Sequence, residues 1–264
     1  IYKDGENPFL DGTARYARTE KKKNKAFAEW IPTIPQTGNY AVYVSYQTLP
    51  NSVSDAKYIV FHKGGATEFN VNQQIGGGTW VYLGTFEFDK GNNDYGMVVL
   101  SNESKENGVV CADAVRFGGG MGNISRGGTV SGLPRYLEGA RYSVQWAGMP
   151  YEIYGGRKGE NDYADDINAR SNTLNYLSGG SVFNPKEKGL GVPLEMTLAL
   201  HSDAGYSKTD EIIGSLGIYT TDFNNGLLNT GMDRYASRDL ADILLTQLQR
   251  DIRTTYNIPW TRRS

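Results

Sequence analysis

The chain has 264 residues, 39% hydrophobic and 21% charged, and its 27 Lys and Arg against 29 Asp and Glu leave a net charge of −2. That mix can fill a core and excludes global disorder, while the lack of a basic surplus argues against nucleic acid as a partner. The single cysteine excludes a disulfide framework, and no apolar run approaches the roughly 18–20 residues of a membrane-crossing helix.

The sequence opens on Ile1 rather than Met and shows no signal-peptide pattern. We expect a processed or excised piece of a longer chain. The first basic cluster, KKKNK at 21–25, reads as a solvated loop. From there to residue 117 the grammar is that of strands. YAVYVSYQ (40–47), AKYIVFHK (56–63), TEFNV (67–71), TWVYLGTFEF (79–88), YGMVVLSN (95–102) and GVVCADAVRF (108–117) are short runs rich in Val, Tyr and Phe. Turn-formers separate them: PQTG, KGG, GGG and KGNND. Gly takes positive φ, Pro fixes φ, and Asn tolerates the left-handed region. Residues 1–117 are therefore expected to form an all-β sandwich or jelly roll without a helix longer than about two turns. Cys111 lies in an apolar strand and reads as a small core residue. His62 alternates outward on its strand.

Residues 118–136 hold seven glycines and little apolar matter, as in an interdomain linker or a glycine-rich loop lining a site. The run lacks the pattern of a phosphate loop. From 137 to 264 strands and helices alternate. LEGARYSVQWAG reads as a helix closed by Gly148, and YEIYG as a short strand. DYADDINARSNTLNYLSGG reads as a helix with first-turn Asp residues and a Gly179 stop. VPLEMTLAL reads as a buried strand and GSLGIYT as another. SRDLADILLTQLQRDIRTTY (237–256) is the strongest helix, capped by Ser237, with Leu240, Ile243, Leu244, Leu248 and Ile252 on one face. This alternation predicts a C-terminal α/β layered domain.

The α/β half resembles the zinc-dependent N-acetylmuramoyl-L-alanine amidases. The carrying runs are LEGARYSVQWAGMPYEIY with Glu138, ARSNTLN with Arg170 and Asn175, LALHSDAG with His201, then GSLGIYTT and SRDLAD, in family order over about 130 residues. The resemblance implies zinc as cofactor, Glu138 and His201 as metal ligands lying close together, and Arg170, Asn175 and Asp203 as supporting or structural residues. It further implies a zinc histidine in a Pro-Gly-His-Gly-Gly run and a general-base glutamate on a strand after the last helix. Neither occurs in this sequence, so the histidine is expected upstream, with the β domain inserted after it, and the glutamate beyond residue 264. On that footing the chain alone would be inactive and bind zinc weakly. From the residues alone, His201 also reads as a strand-end histidine bonded to backbone, Glu138 as a first-turn helix acid, and Asp203 as a turn residue.

The β half is similar to the golvesin C-terminal-like domains, of the carbohydrate-binding type. WIPTIPQTGNYAVYVSY, GGGTWVYLGTFEF and CADAVRF carry the likeness. Trp30, Tyr46, Trp80 and Tyr82 are the candidates for stacking on sugar rings, with core or rim packing as the plainer reading. Proteins of this combined architecture often bear the label xanthan lyase. The expectation is a secreted, periplasmic or cell-surface protein whose partner is peptidoglycan or another polysaccharide. Its parent would hydrolyse the muramoyl–L-alanine amide. The alternatives are a non-catalytic glycan-binding scaffold with a degenerate hydrolase fold and a polysaccharide lyase relative.

Overall fold

The computed structural model describes residues 2–7, 12–21, 26–133, 137–181, 184–201, 207–209, 211–228 and 230–263. It divides into two compact units, Ile1–Met196 and Thr197–Ser264.

In the first unit the period-2 alternation of the sequence is realised as strands. They are β1 (Tyr2–Lys3), β2 (Arg15–Arg18), β3 (Phe27–Trp30), β4 (Gly38–Ser45), β5 (Ala56–His62) and β6 (Gly65–Val71). After these come β7 (Val81–Phe88), β8 (Met97–Ser101), β9 (Val109–Ala112) and β10 (Ala114–Phe117). Two antiparallel sheets, ordered β10-β4-β7 and β3-β8-β5-β6, share one core. Val42 and Val44 of β4, Tyr58 and Val60 of β5, and Val98 of β8 are each 0% exposed. No helix lies among the described residues 12–117, and the architecture there is the expected β-rich one.

The core contains a buried amide. Gln73 is fully buried and is satisfied on both sides: its Nε2 donates to the Tyr58 hydroxyl at 3.1 Å and to the Cys111 carbonyl at 2.9 Å, and its Oε1 accepts from the Cys111 N–H at 2.8 Å. A buried polar group must be paired in this way or destabilise the fold. Cys111 is the expected core thiol, and burial pushes its pKa up. His62 is held locally. Its Nδ1 accepts from the Gly64 N–H, its Nε2 meets the Thr67 hydroxyl, and its ring stacks 4.8 Å from Phe86.

The segments on either side of the sandwich meet. β1 pairs in parallel with β11 (Ile124–Arg126), which also pairs with β12 (Thr129–Val130). Three helices follow: α1 (Ala140–Trp146), α2 (Tyr151–Tyr154) and α3 (Asp162–Ser178). Arg141 on α1 is 1% exposed and ties this region to the N-terminal segment. It binds Asp4 at 2.7 Å and Asp162, lies 3.8 Å from Asp165, and donates through Nε to the Tyr154 carbonyl at 2.6 Å. The Gln145 amide donates to the carbonyls of Lys3 and Glu6.

Several local expectations change. YEIYG is the helix α2 and not a strand. Pro150 precedes it at φ −58°, suited to a helix entry, and four residues are too few to show a period. α3 forms as expected, with Asp162 and Asp165 in the first turn and Gly179 at φ 111° following its end; the structure adds a cap, the Asn161 side chain accepting from the Ala164 N–H. VPLEMTLAL forms no regular element, and Met196, Leu198 and Leu200 are 65%, 66% and 79% exposed. A central strand needs a ladder partner on each side, and none pairs with it among the described residues.

In the second unit, GSLGIYT yields only β13 (Ser215–Leu216), paired in parallel with β14 (Arg262–Arg263). The best helix is α4 (Tyr235–Tyr256), starting two residues before the expected Ser237 cap. The Asp233 carboxylate accepts from the Tyr235 N–H instead, and Asn257 at φ 52° closes the helix in the left-handed region. Among the described residues after 117, strands are two or three residues long.

Candidate functional site

The sandwich carries a cleft of about 400 Å³. It opens where the β2-β9 pair passes the β3-β8 pair. Its origin is local sequence: where a sandwich core is normally filled by branched side chains, Ala17, Ala28 and Ala112 line this cleft. Small residues leave space that larger ones would close. Alternation on the two short strands then sends other side chains to the rim. Tyr16 and Phe27 are 71% and 61% exposed, and Trp30 is half-buried against the core. Arg15, Glu29 and Asp113 supply a cation and two carboxylates to the same walls. The cleft thus presents flat apolar rings beside charged hydrogen-bonding groups, the usual composition of a small-ligand site.

A second aromatic group covers the outer face of the β10-β4-β7 sheet. Arg116, Tyr43 and Tyr82 stand directly opposite one another on β10, β4 and β7. The Arg116 guanidinium lies 3.4 Å from the Trp146 ring centroid, 4.4 Å from that of Trp80 and 4.8 Å from that of Tyr43. Its Nη1 donates to the Trp146 carbonyl at 3.0 Å. Burial lowers its pKa to about 10, so it remains a cation at neutral pH. Burial raises the Tyr43 phenol, and nearby Arg116 opposes that shift.

The sequence-derived candidates fall in different places. Trp30 lines the cleft, and Trp80 and Tyr82 belong to the outer aromatic group. Tyr46 is 2% exposed, with its hydroxyl donated to the carbonyls of Asn72 and Ile75, and burial pushes its pKa up to about 12. It is a core residue and offers no face to a sugar. Position parity held that signal, because Tyr46 alternates in step with the buried Val42 and Val44, whereas Tyr43 does not. Tyr16, Phe27 and Tyr43 escaped the reading, since short exposed runs give no sign of what stands opposite them.

Glu138 lies in the first unit, before α1. Its carboxylate accepts from the Ser131 hydroxyl at 2.6 Å and sits 3.6 Å from Arg126. His201 is exposed in the second unit, in a stretch without regular structure. Arg170 and Asn175 are both on α3, and Arg170 pairs with Asp166 one turn away at 3.0 Å. Asp203 lies outside the described residues. A tetrahedral zinc site takes three protein ligands and a water. Among the described residues no group of three or more His, Cys, Asp or Glu side chains gathers to hold a metal ion. Glu138, moreover, already faces a cation and a hydroxyl. Glu138 and His201 belong to different units.

Comparison with known proteins bears on the β-rich half. The chain is 36% identical over 90 residues to a xanthan lyase of Bacillus sp. (strain GL1), an alignment covering 33% of this chain and 10% of that protein. Among solved structures, a Paenibacillus xanthan lyase aligns at TM-score 0.37 and 31% identity, over 43% of this chain and 11% of its own. The chain therefore spans about a tenth of the length of the relatives it matches. Residues 10–119, which contain both the cleft-lining strands and the paired tyrosines of the outer face, match the model of the Golvesin C-terminal domain.

Proposed function

We propose that the β-sandwich is a glycan-binding module and that the cleft between β2 and β3 is its binding site. The observation that carries this is the pairing of exposed Tyr16 and Phe27 and half-buried Trp30 with Arg15, Glu29 and Asp113 around one concavity. A pyranose ring has an apolar C–H face and a hydroxyl edge. Aromatic rings cover the first, and carboxylates and a guanidinium bond the second. The Golvesin-type match and the xanthan lyase relative support the same class of ligand. A polysaccharide ligand implies that the protein works outside the cytoplasm, at the cell surface or secreted. No helix among the described residues is long and apolar enough to cross a membrane.

The test is electrophoretic retention of the chain in gels containing soluble xanthan, hydroxyethylcellulose or soluble peptidoglycan fragments. Retention by at least one of these is expected. Tyr16→Ala with Phe27→Ala should reduce it about thirtyfold, because each stacked ring contributes on the order of 1 kcal/mol. Both side chains are exposed, so the doubly substituted chain should keep its fold. Retention unchanged by the double substitution would sink the cleft as the site.

A second reading concerns the parent protein. The order of the Glu138, Arg170–Asn175 and His201 motifs favours an amidase acting on the muramoyl–L-alanine amide, with zinc supplied a full donor set in the parent. The named relative favours a polysaccharide lyase. Incubation of the full parent with peptidoglycan and with xanthan separates them. Release of stem peptides marks the amidase, and an ultraviolet-absorbing unsaturated uronate marks the lyase. Neither product would leave a binding protein with a degenerate hydrolase fold.

A further inference from the structure

The outer-face row has a gradient that the cleft does not explain. Arg116 is 9% exposed, Tyr43 is half-buried, and Tyr82 is 55% exposed. Trp146 stands edge-on to Tyr43 at 4.6 Å, and the Tyr82 ring lies tilted 46° to that of Tyr43 at 5.2 Å. The Tyr82 hydroxyl is bonded to the Thr85 hydroxyl at 2.8 Å. Each ring is therefore held by a neighbour before any ligand arrives. A pre-ordered aromatic surface loses little side-chain entropy on binding.

The chemistry of the row defines its partner. Its cation is buried beneath Trp146 with Nη1 bonded to a carbonyl, so charge is not what the surface presents. What remains outside is two phenol rings with centroids 5.2 Å apart and the hydroxyls of Tyr82 and Thr85. That surface suits an uncharged, hydroxyl-bearing ring lying flat.

We infer that Tyr43 and Tyr82 form a second saccharide contact on the outer sheet face, for the neutral pyranose units of a glycan, with Arg116 and Trp146 as the residues that position them. This rests on the sandwich being a glycan-binding module. Two contacts on one module let a long chain bind more tightly than either contact alone, because the second engages at high effective concentration.

The test is a residue-resolved NMR titration of the isotope-labelled chain with cellohexaose and, separately, chitotetraose. Saturable shifts of the Tyr43 and Tyr82 ring signals with either sugar are expected. In Tyr82→Ala the Tyr43 response should be lost, whereas Tyr95→Ala, which removes another exposed tyrosine, should leave it intact. Shifts at Tyr16 and Phe27 with Tyr43 and Tyr82 silent would overturn this inference and keep the cleft. Shifts at Tyr43 and Tyr82 alone would support it and overturn the cleft. Silence at both sites with both sugars would overturn both.

Discussion

The two compact units use apolar residues in opposite ways. In Ile1–Met196 the sandwich drives Val42, Val44, Val60 and Val98 to 0% exposure, and even a full guanidinium, that of Arg141, is closed off by carboxylates. In Thr197–Ser264 the long helix α4 has no buried residue. Its Ile243, Leu244 and Leu248 are 65%, 38% and 41% exposed, and Ile218 is 85% exposed. Both regions have strong periodicity in sequence. The difference is that a sheet stacked on a sheet buries every second residue of each strand, whereas one helix beside a two-residue strand pair covers only a narrow stripe. Periodicity shows which face of an element wants cover, and only the neighbours supply it.

The sharpest way to probe the contrast is Arg141→Met. Removing the cation leaves the buried Asp165 and the nearly buried Asp4 without their shared partner, which should cost about 4 kcal/mol in urea unfolding. It should also free the N-terminal strand to proteolysis. A loss under about 1 kcal/mol would mean that the charge cluster does not hold the first unit together. Next, Leu100→Ala in the sandwich core should cost about 3 kcal/mol through lost burial and the cavity left behind.

High pH probes the same core through its phenols. Burial raises the pKa of Tyr58, and that of Tyr46 to about 12. The neutral phenol is the folded form, so this stability is complete below about pH 10, the ordinary tyrosine value. Above it the unfolded chain sheds protons that the folded chain keeps. Stability should then fall by about 1.4 kcal/mol per pH unit for each such tyrosine, until the pH reaches the folded value. A flat urea midpoint between pH 10 and about 12 would contradict the burial of Tyr46.

The smallest effect is the most telling for α4. Ile243→Ser should change stability by no more than about 0.5 kcal/mol, as at an exposed site. A cost like that of Leu100→Ala would show that this face is covered in solution.

Much of the first unit was legible in its residues. Val, Tyr and Phe runs broken by Gly, Asn and Pro gave β4 to β10 but not β1, β2 or β3, and the first-turn acids and Gly179 bounded α3. The aromatic candidates Trp30, Trp80 and Tyr82 were also visible. The failures have physical causes. YEIYG was too short for its four residues to distinguish helix from strand, and VPLEMTLAL had a strand pattern with no partner strand to realise it. Ser237 lies inside α4 and not at its start: the N-cap position is Arg234, which makes no side-chain cap bond, and the Asp233 carboxylate just before it accepts from the Tyr235 N–H.

The sequence by itself determined local preference: where turns must fall, which strand face is apolar, and that the charge balance disfavours nucleic acid. Only the tertiary structure decided which rings meet. Alanines from β2, β3 and β9 open one cleft, and Arg116, Tyr43 and Tyr82 align although 39 residues separate Tyr43 from Tyr82 along the chain. Strand register sets such neighbours, and register is fixed by the burial of every strand at once rather than by any one run of residues.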